Sequence, residues 1–113
     1  MQPRLAAFLV MRATALALAV LVLGHFAVTH LVNDVAETGS SFVARRWSSA
    51  LWVAWDWAML AAALVHAGAG IWLLIDEQAR ASRVRRLLHG ALAATVAVLF
   101  TVGTAALAIV GAR

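Results

Sequence analysis

The sequence predicts an all-α membrane protein with three transmembrane helices, folded as a single membrane-anchor domain over residues 1–113. Three observations predict it. The chain is 65% hydrophobic and only 12% charged over its 113 residues; a soluble domain this small has too much exterior per unit volume to hide so much apolar surface. The apolar residues gather into three runs, each long enough for the roughly 20 residues that a membrane helix needs. The charges lie at the ends of those runs rather than on one face.

The first span is expected over about 5–31, the second over about 51–75 and the third over about 87–110. The first is too long for a signal peptide and lacks a small-residue cleavage signature, so it is expected to stay in the protein. Between the first two lies NDVAETGSSFVARRWSS (33–49), polar and rich in turn formers, with room for a short amphipathic or irregular piece. Between the second and third lies DEQARASRVRR (76–86), short and basic.

All nine basic residues are arginine, and the net charge is +4. Their scatter at span ends fits membrane flanks and lipid contact, not a nucleic-acid surface. Arg80, Arg83, Arg85 and Arg86 in the second loop, with Arg4, Arg12 and the amino terminus, outweigh Arg45 and Arg46 in the first. The expected site is the cytoplasmic (inner) membrane, with the N-terminus and second loop cytoplasmic and the first loop and Arg113 outside. The absence of cysteine excludes disulfides, zinc–thiolate sites and iron–sulfur ligation by this chain, so a redox metal here depends on histidine. No nucleophile–base constellation or phosphate-binding loop is present. GAG at Gly68–Gly70 lies inside a span and reads as packing.

His66 sits in the second span, ten residues before Asp76 and so about 15 Å into the membrane. Ionisable side chains at that depth are costly and concentrate at functional positions. Ala62, Ala63, Ala69 and Gly70 lie one turn away on either side and open a flat slot beside the ring. Such a slot suits a haem, which needs a neutral imidazole, an orienting partner and planar space. It equally suits close helix packing with an interhelical hydrogen bond.

HAGAGIW, His66–Trp72, resembles the H-A-x-x-G-x-W segment in the second helix of the small hydrophobic D subunit of succinate dehydrogenases. FLVMRATAL, Phe8–Leu16, is similar to that subunit's first helix, with its F-x-x-x-R-A-T-A pattern. The resemblance implies half of a heterodimeric helical anchor, paired with a homologous three-span cytochrome b subunit. It makes His66 an axial ligand of haem b and Arg12 a partner for haem propionates or for quinone. Lipid-directed snorkelling is the alternative for Arg12. It further implies a flavoprotein subunit that oxidises succinate, an iron–sulfur subunit docked on the basic loop, and membrane quinone as the electron acceptor. The family's proximal quinone site uses an Asp-Tyr pair after the second helix. Here Asp76-Glu77 stands one residue closer to the histidine and the chain has no tyrosine, which argues against a proximal site of that kind. Asp76 stays a quinone candidate.

His25 and His30 lie five residues apart, about 140° around an α-helix, so they are expected not to face one site. His25 is the deeper, about 12 Å from the outer end, whereas His66 is about 22 Å from it. The two are therefore not expected to share one iron; each would need a partner on another polypeptide. Di-haem relatives resemble this arrangement, with His25, or alternatively His30, as the second ligand; a second haem points to menaquinone. His30, beside Asn33 and Asp34, also reads as an interfacial residue or a quinone contact. His89 reads as a headgroup-level residue. Asp56 lies among Trp47, Trp52, Trp55 and Trp57, an aromatic belt. It is a quinone candidate at the outer side and is expected to pair with Arg45 or Arg46. The rival to the haem-binding anchor is a structural or assembly protein of three spans without cofactor.

Overall fold

The computed structural model describes residues 2–112; Met1 and Arg113 lie outside the described residues, so the placement of Arg113 has no structural counterpart. Helix α1 runs over Pro3–Phe26 and continues as a π-helical turn, Ala27–Val32. A 3₁₀ turn at Val35–Glu37 leads to α2, Ser40–Trp47, then α3, Ala50–Gln78, and α4, Ser82–Gly111. Three of these segments, Pro3–Val32, Ala50–Gln78 and Ser82–Gly111, are long and apolar enough to cross a membrane. The molecule measures 50 × 26 × 25 Å, enough to span a bilayer of about 40–45 Å including headgroups.

Local chemistry sets the ends. Pro3 opens α1, where its missing N–H has no intrahelical partner to lose. At the other end the backbone N and the Nδ2 of Asn33 both donate to the Val28 carbonyl, at 3.2 and 2.7 Å. That five-residue step is what makes the last turn π-helical. Asp34 then accepts from the Ala36 N–H at 2.9 Å and starts the 3₁₀ turn. The helices run past the expected span boundaries at both ends. Asp76, Glu77, Arg83, Arg85 and Arg86 are ordinary helix residues, and hydropathy marks the edge of the hydrocarbon, not the end of the helix. The short amphipathic piece of the first loop is α2.

α3 is the centre, packed on α1 along one side and α4 along another, while α2 lies against α3 and α4. Gly24 lets α1 approach: the Trp55 ring lies where a Cβ would stand, and its Nε1 donates to the Leu21 carbonyl at 3.1 Å. Gly103 of α4 does the same for Leu60. Trp57 Nε1 donates to Thr104 Oγ1 at 3.1 Å.

This packing does not close a core. Leu107 is the one buried apolar side chain among the described residues. The surface is 7606 Å², against about 6,000 Å² for a compact soluble chain of this mass. Much of it is apolar: Leu16, Val20 and Leu23 on α1 and Leu87 and Val102 on α4 are all more than half exposed. Such faces belong against lipid or another apolar helix.

Candidate functional site

The polar side chains gather at three levels along α3. At the middle level, α1 crosses α3 at Met11–Thr14. The Thr14 hydroxyl donates to the Val10 carbonyl at 2.7 Å. His66 Nδ1 lies 3.1 Å from the Met11 carbonyl oxygen and 3.1 Å from Thr14 Oγ1. A carbonyl oxygen only accepts, so Nδ1 carries the proton and donates; Thr14, its own hydrogen directed at Val10, accepts from the same N–H. The neutral ring then keeps its lone pair on Nε2, for which the described residues offer no hydrogen bond.

Beside the ring is an open cleft of about 480 Å³ lined by Met11, His66, Ala67, Gly70, Leu74 and Glu77. Of the four small residues expected to form the slot, Gly70 does so, while Ala63 lines a different cavity nearer Asp56. Nothing crowds Gly70, the nearest side-chain atom to a built Cβ being Met11 Sδ at 3.6 Å. Chemically the level offers one oriented imidazole with a free nitrogen beside an open, mostly apolar cleft. No three potential metal-binding side chains converge among the described residues. Arg12 lies outside this cleft: it is exposed, with its guanidinium 5.4 Å from the Phe8 ring centroid.

Asp56 organises the level nearest the first loop. Arg46 Nε donates to Oδ2 at 3.1 Å and Nη2 to Oδ1 at 2.9 Å, while Trp47 Nε1 donates to Oδ2 at 2.7 Å. The Arg46 guanidinium also sits 4.1 Å from the Trp52 ring centroid. The partner is thus Arg46, with Arg45 left exposed. α2 delivers Arg46 and Trp47 as adjacent residues at its last turn, which is why a short helix follows the turn-rich loop. His25 Nδ1 stands 3.7 Å from Asp56 Oδ1, too far for a hydrogen bond. Asp56 precedes His66 by ten residues on α3, so His25 and His66 lie at levels about 15 Å apart.

The expectation that His25 and His30 face different ways does not hold. Both line one cavity of about 260 Å³, with Arg46 and Asp56. The wider π-helical turn narrows the angle that an α-helix would place between them. His30 is exposed, bonded through Nδ1 to Thr29 Oγ1 at 2.8 Å and stacked on Phe26 at 4.4 Å.

At the opposite end Asp76 is approached by Arg4 at 3.4 Å and Arg85 at 3.9 Å, which ties α1, α3 and α4 together. The His89 ring of α4 stacks on Trp72 of α3, with centroids 4.9 Å apart and planes 10° apart. Sequence reasoning missed the Met11–Thr14 partners of His66 and the Trp47 bond to Asp56. Thr14 carried the available signal, as a lone hydroxyl in an apolar stretch of α1.

Comparison with known families gives one finding. A family model described as succinate dehydrogenase/fumarate reductase transmembrane subunit matches residues 2–106, a range that includes all three levels. No curated protein matches the chain.

Proposed function

The chain belongs to the succinate dehydrogenase/fumarate reductase transmembrane subunit family, and we propose that within such a complex it binds haem b through Nε2 of His66. The observation that carries this reading is the pair of contacts at Nδ1. Met11 and Thr14 fix the protonated nitrogen toward α1, and the ring they orient lines the cleft. An axial imidazole needs that tautomer and a second partner that orients it. A purely structural interhelical histidine needs only the first bond and no adjoining space; the cleft beside His66 favours the ligand reading. His25 lacks the same support, since no acceptor lies within hydrogen-bond distance of its Nδ1.

The residues present fit the group. His66 would hold the iron, and Ala67 and Gly70 leave room along the ring. When bound, haem supplies reversible one-electron storage. The chain itself orients the imidazole, keeps water away with apolar walls and provides a low dielectric. A second imidazole would come from a homologous three-span subunit covering the exposed helix faces. Electrons arrive from flavoprotein and iron–sulfur subunits, the latter docked near the arginines of the second loop, and leave to membrane quinone. The complex resides in the cytoplasmic membrane with the N-terminus inside.

The test is a reduced-minus-oxidised spectrum of the complex, purified with its partner subunits, for the wild type and His66→Ala. Sharp reduced bands that disappear in the variant support the proposal. A wild-type complex with only flavin and iron–sulfur absorption overturns it.

A further inference from the structure

α3 begins without a cap. Ser49 makes no side-chain bond to the first turn, and that turn carries no acid. The Val53 N–H donates to the Ser49 carbonyl at 3.1 Å. The N–H groups of Ala50, Leu51 and Trp52 lie ahead of that rung and have no acceptor within the helix. The partial positive charge of the helix start is therefore open to an anion. A second observation stands beside it. The Arg46 side chain is only 5% exposed, and its Nη1 has no hydrogen bond among the described residues. A buried guanidinium N–H without an acceptor is unfavourable, so a missing partner is the natural explanation. Both features meet in an open cleft of about 640 Å³ between the π-helical turn, α2 and the start of α3. Arg45, Arg46 and Ser49 are among its polar walls, and Val28, Val32 and Trp52 among its apolar ones. Arg45 is exposed and has no ion-pair partner among the described residues.

We infer that this cleft binds one glycerophospholipid of the leaflet at the first-loop end, its phosphodiester held by Arg45, by Arg46 Nη1 and by the N-terminus of α3. These groups can only donate, so the ligand must accept. Charge sets the headgroup chemistry. Asp56 balances Arg46, which leaves Arg45 and the helix end as the uncompensated positive charge. That matches the single negative charge of a phosphodiester. Depth agrees, because the belt of Trp47, Trp52, Trp55 and Trp57 marks the level of the headgroups. The Arg46 guanidinium lies 4.1 Å from the Trp52 ring centroid, which places the donor beside an apolar wall. That wall separates a lipid from a free phosphate ion, since an acyl chain covers Val28, Val32 and Trp52 and an inorganic anion leaves them wet. The site differs from the cavity shared by His25 and His30 and is independent of haem at His66.

The test uses the complex purified with its partner subunits, stripped of lipid in detergent and titrated with dioleoylphosphatidylglycerol. Native mass spectrometry reads bound lipid on the assembled species alone, so a variant that fails to assemble does not register as lost binding. Two substitutions keep the Arg46–Asp56 pair. Arg45→Gln removes the uncompensated cation. Ser49→Asp places a carboxylate at the start of α3, where it caps the free N–H groups and competes with the phosphate. Each is expected to weaken the tightest lipid adduct roughly tenfold, the worth of one charge-assisted hydrogen bond. Dioleoylglycerol, which has the chains without the phosphate, is expected not to form that adduct, and inorganic phosphate at the same concentration is expected not to displace it. Undiminished lipid binding in either variant overturns the assignment. Dioleoylglycerol bound as tightly as the phospholipid would reduce the cleft to an apolar groove, and displacement by phosphate would make it a site for a free ion; both outcomes also overturn it.

Discussion

Nδ1 of His66, midway along α3, lies 3.1 Å from the backbone carbonyl oxygen of Met11 on α1. A backbone acceptor cannot be removed by substitution, so this contact persists through side-chain changes on either helix that keep their register. Two consequences can be measured.

Replacing Thr14 with valine removes the second acceptor and leaves Met11. The hydrogen bond is worth about 1 kcal/mol, so the complex is expected to assemble with a slightly lower thermal midpoint. The haem proposed at His66 should remain, with a shifted midpoint potential because the imidazole is less firmly oriented. Thr14→Ser should restore the wild-type value. A potential identical in wild type, valine and serine forms would show that Thr14 has no part in orienting the ligand.

Gly70→Leu fills the cleft; its Cβ would lie 3.6 Å from Met11 Sδ, an ordinary contact that leaves the Met11 carbonyl available to His66. Loss of the haem spectrum is expected, with the same assembled subunits on a native gel. If haem is retained at full occupancy, it does not occupy the Gly70 side of His66.

Asp56→Asn leaves the Arg46 guanidinium buried without its counter-charge. Breaking such a pair typically costs about 3–5 kcal/mol, so a marked fall in thermal stability is expected in detergent. The double substitution Arg46→Leu with Asp56→Leu should recover most of the loss, since no charge is then left alone. Equal instability of the single and double variants would mean that packing, not charge, governs this level.

Arg4→Gln should change stability little, by less than about 1 kcal/mol. Arg4 is 62% exposed and its contact with Asp76 is 3.4 Å, so solvent screens the pair. Thermal melts at low and high salt would check this, and a large salt-independent loss would contradict it.

The fold was legible because hydropathy reports directly on the solvent. Long apolar runs broken by arginine-rich loops leave a chain few alternatives to spanning helices. His66 stood out for the same reason, as an ionisable ring surrounded by alanine and leucine. Its partners did not, because sequence gives the face of a helix but not the axial register between two helices. The Met11–Thr14 contact depends on how far α1 slides along α3, which is fixed partly by Trp55 lying on Gly24. The shared cavity of His25 and His30 was hidden for another reason. Reading their spacing at 3.6 residues per turn assumes an α-helix, and the chain abandons that geometry at Ala27. Asp56 was readable as a residue needing a cation nearby, but the choice of Arg46 over Arg45 follows from the orientation of α2.

The π-helical turn also says something about chain length. Geometrically it is one residue more than a regular helix would accommodate over the same rise. Deleting Leu31 would let the ladder relax to its ordinary pitch with His30 still five residues after His25, so that His30 would swing to about 140° from it around the helix barrel. A one-codon length difference just after His30 would thus separate otherwise similar sequences into those that bring both imidazoles to a common chamber and those that present only one, whereas a deletion between the two histidines would leave them four apart on one face.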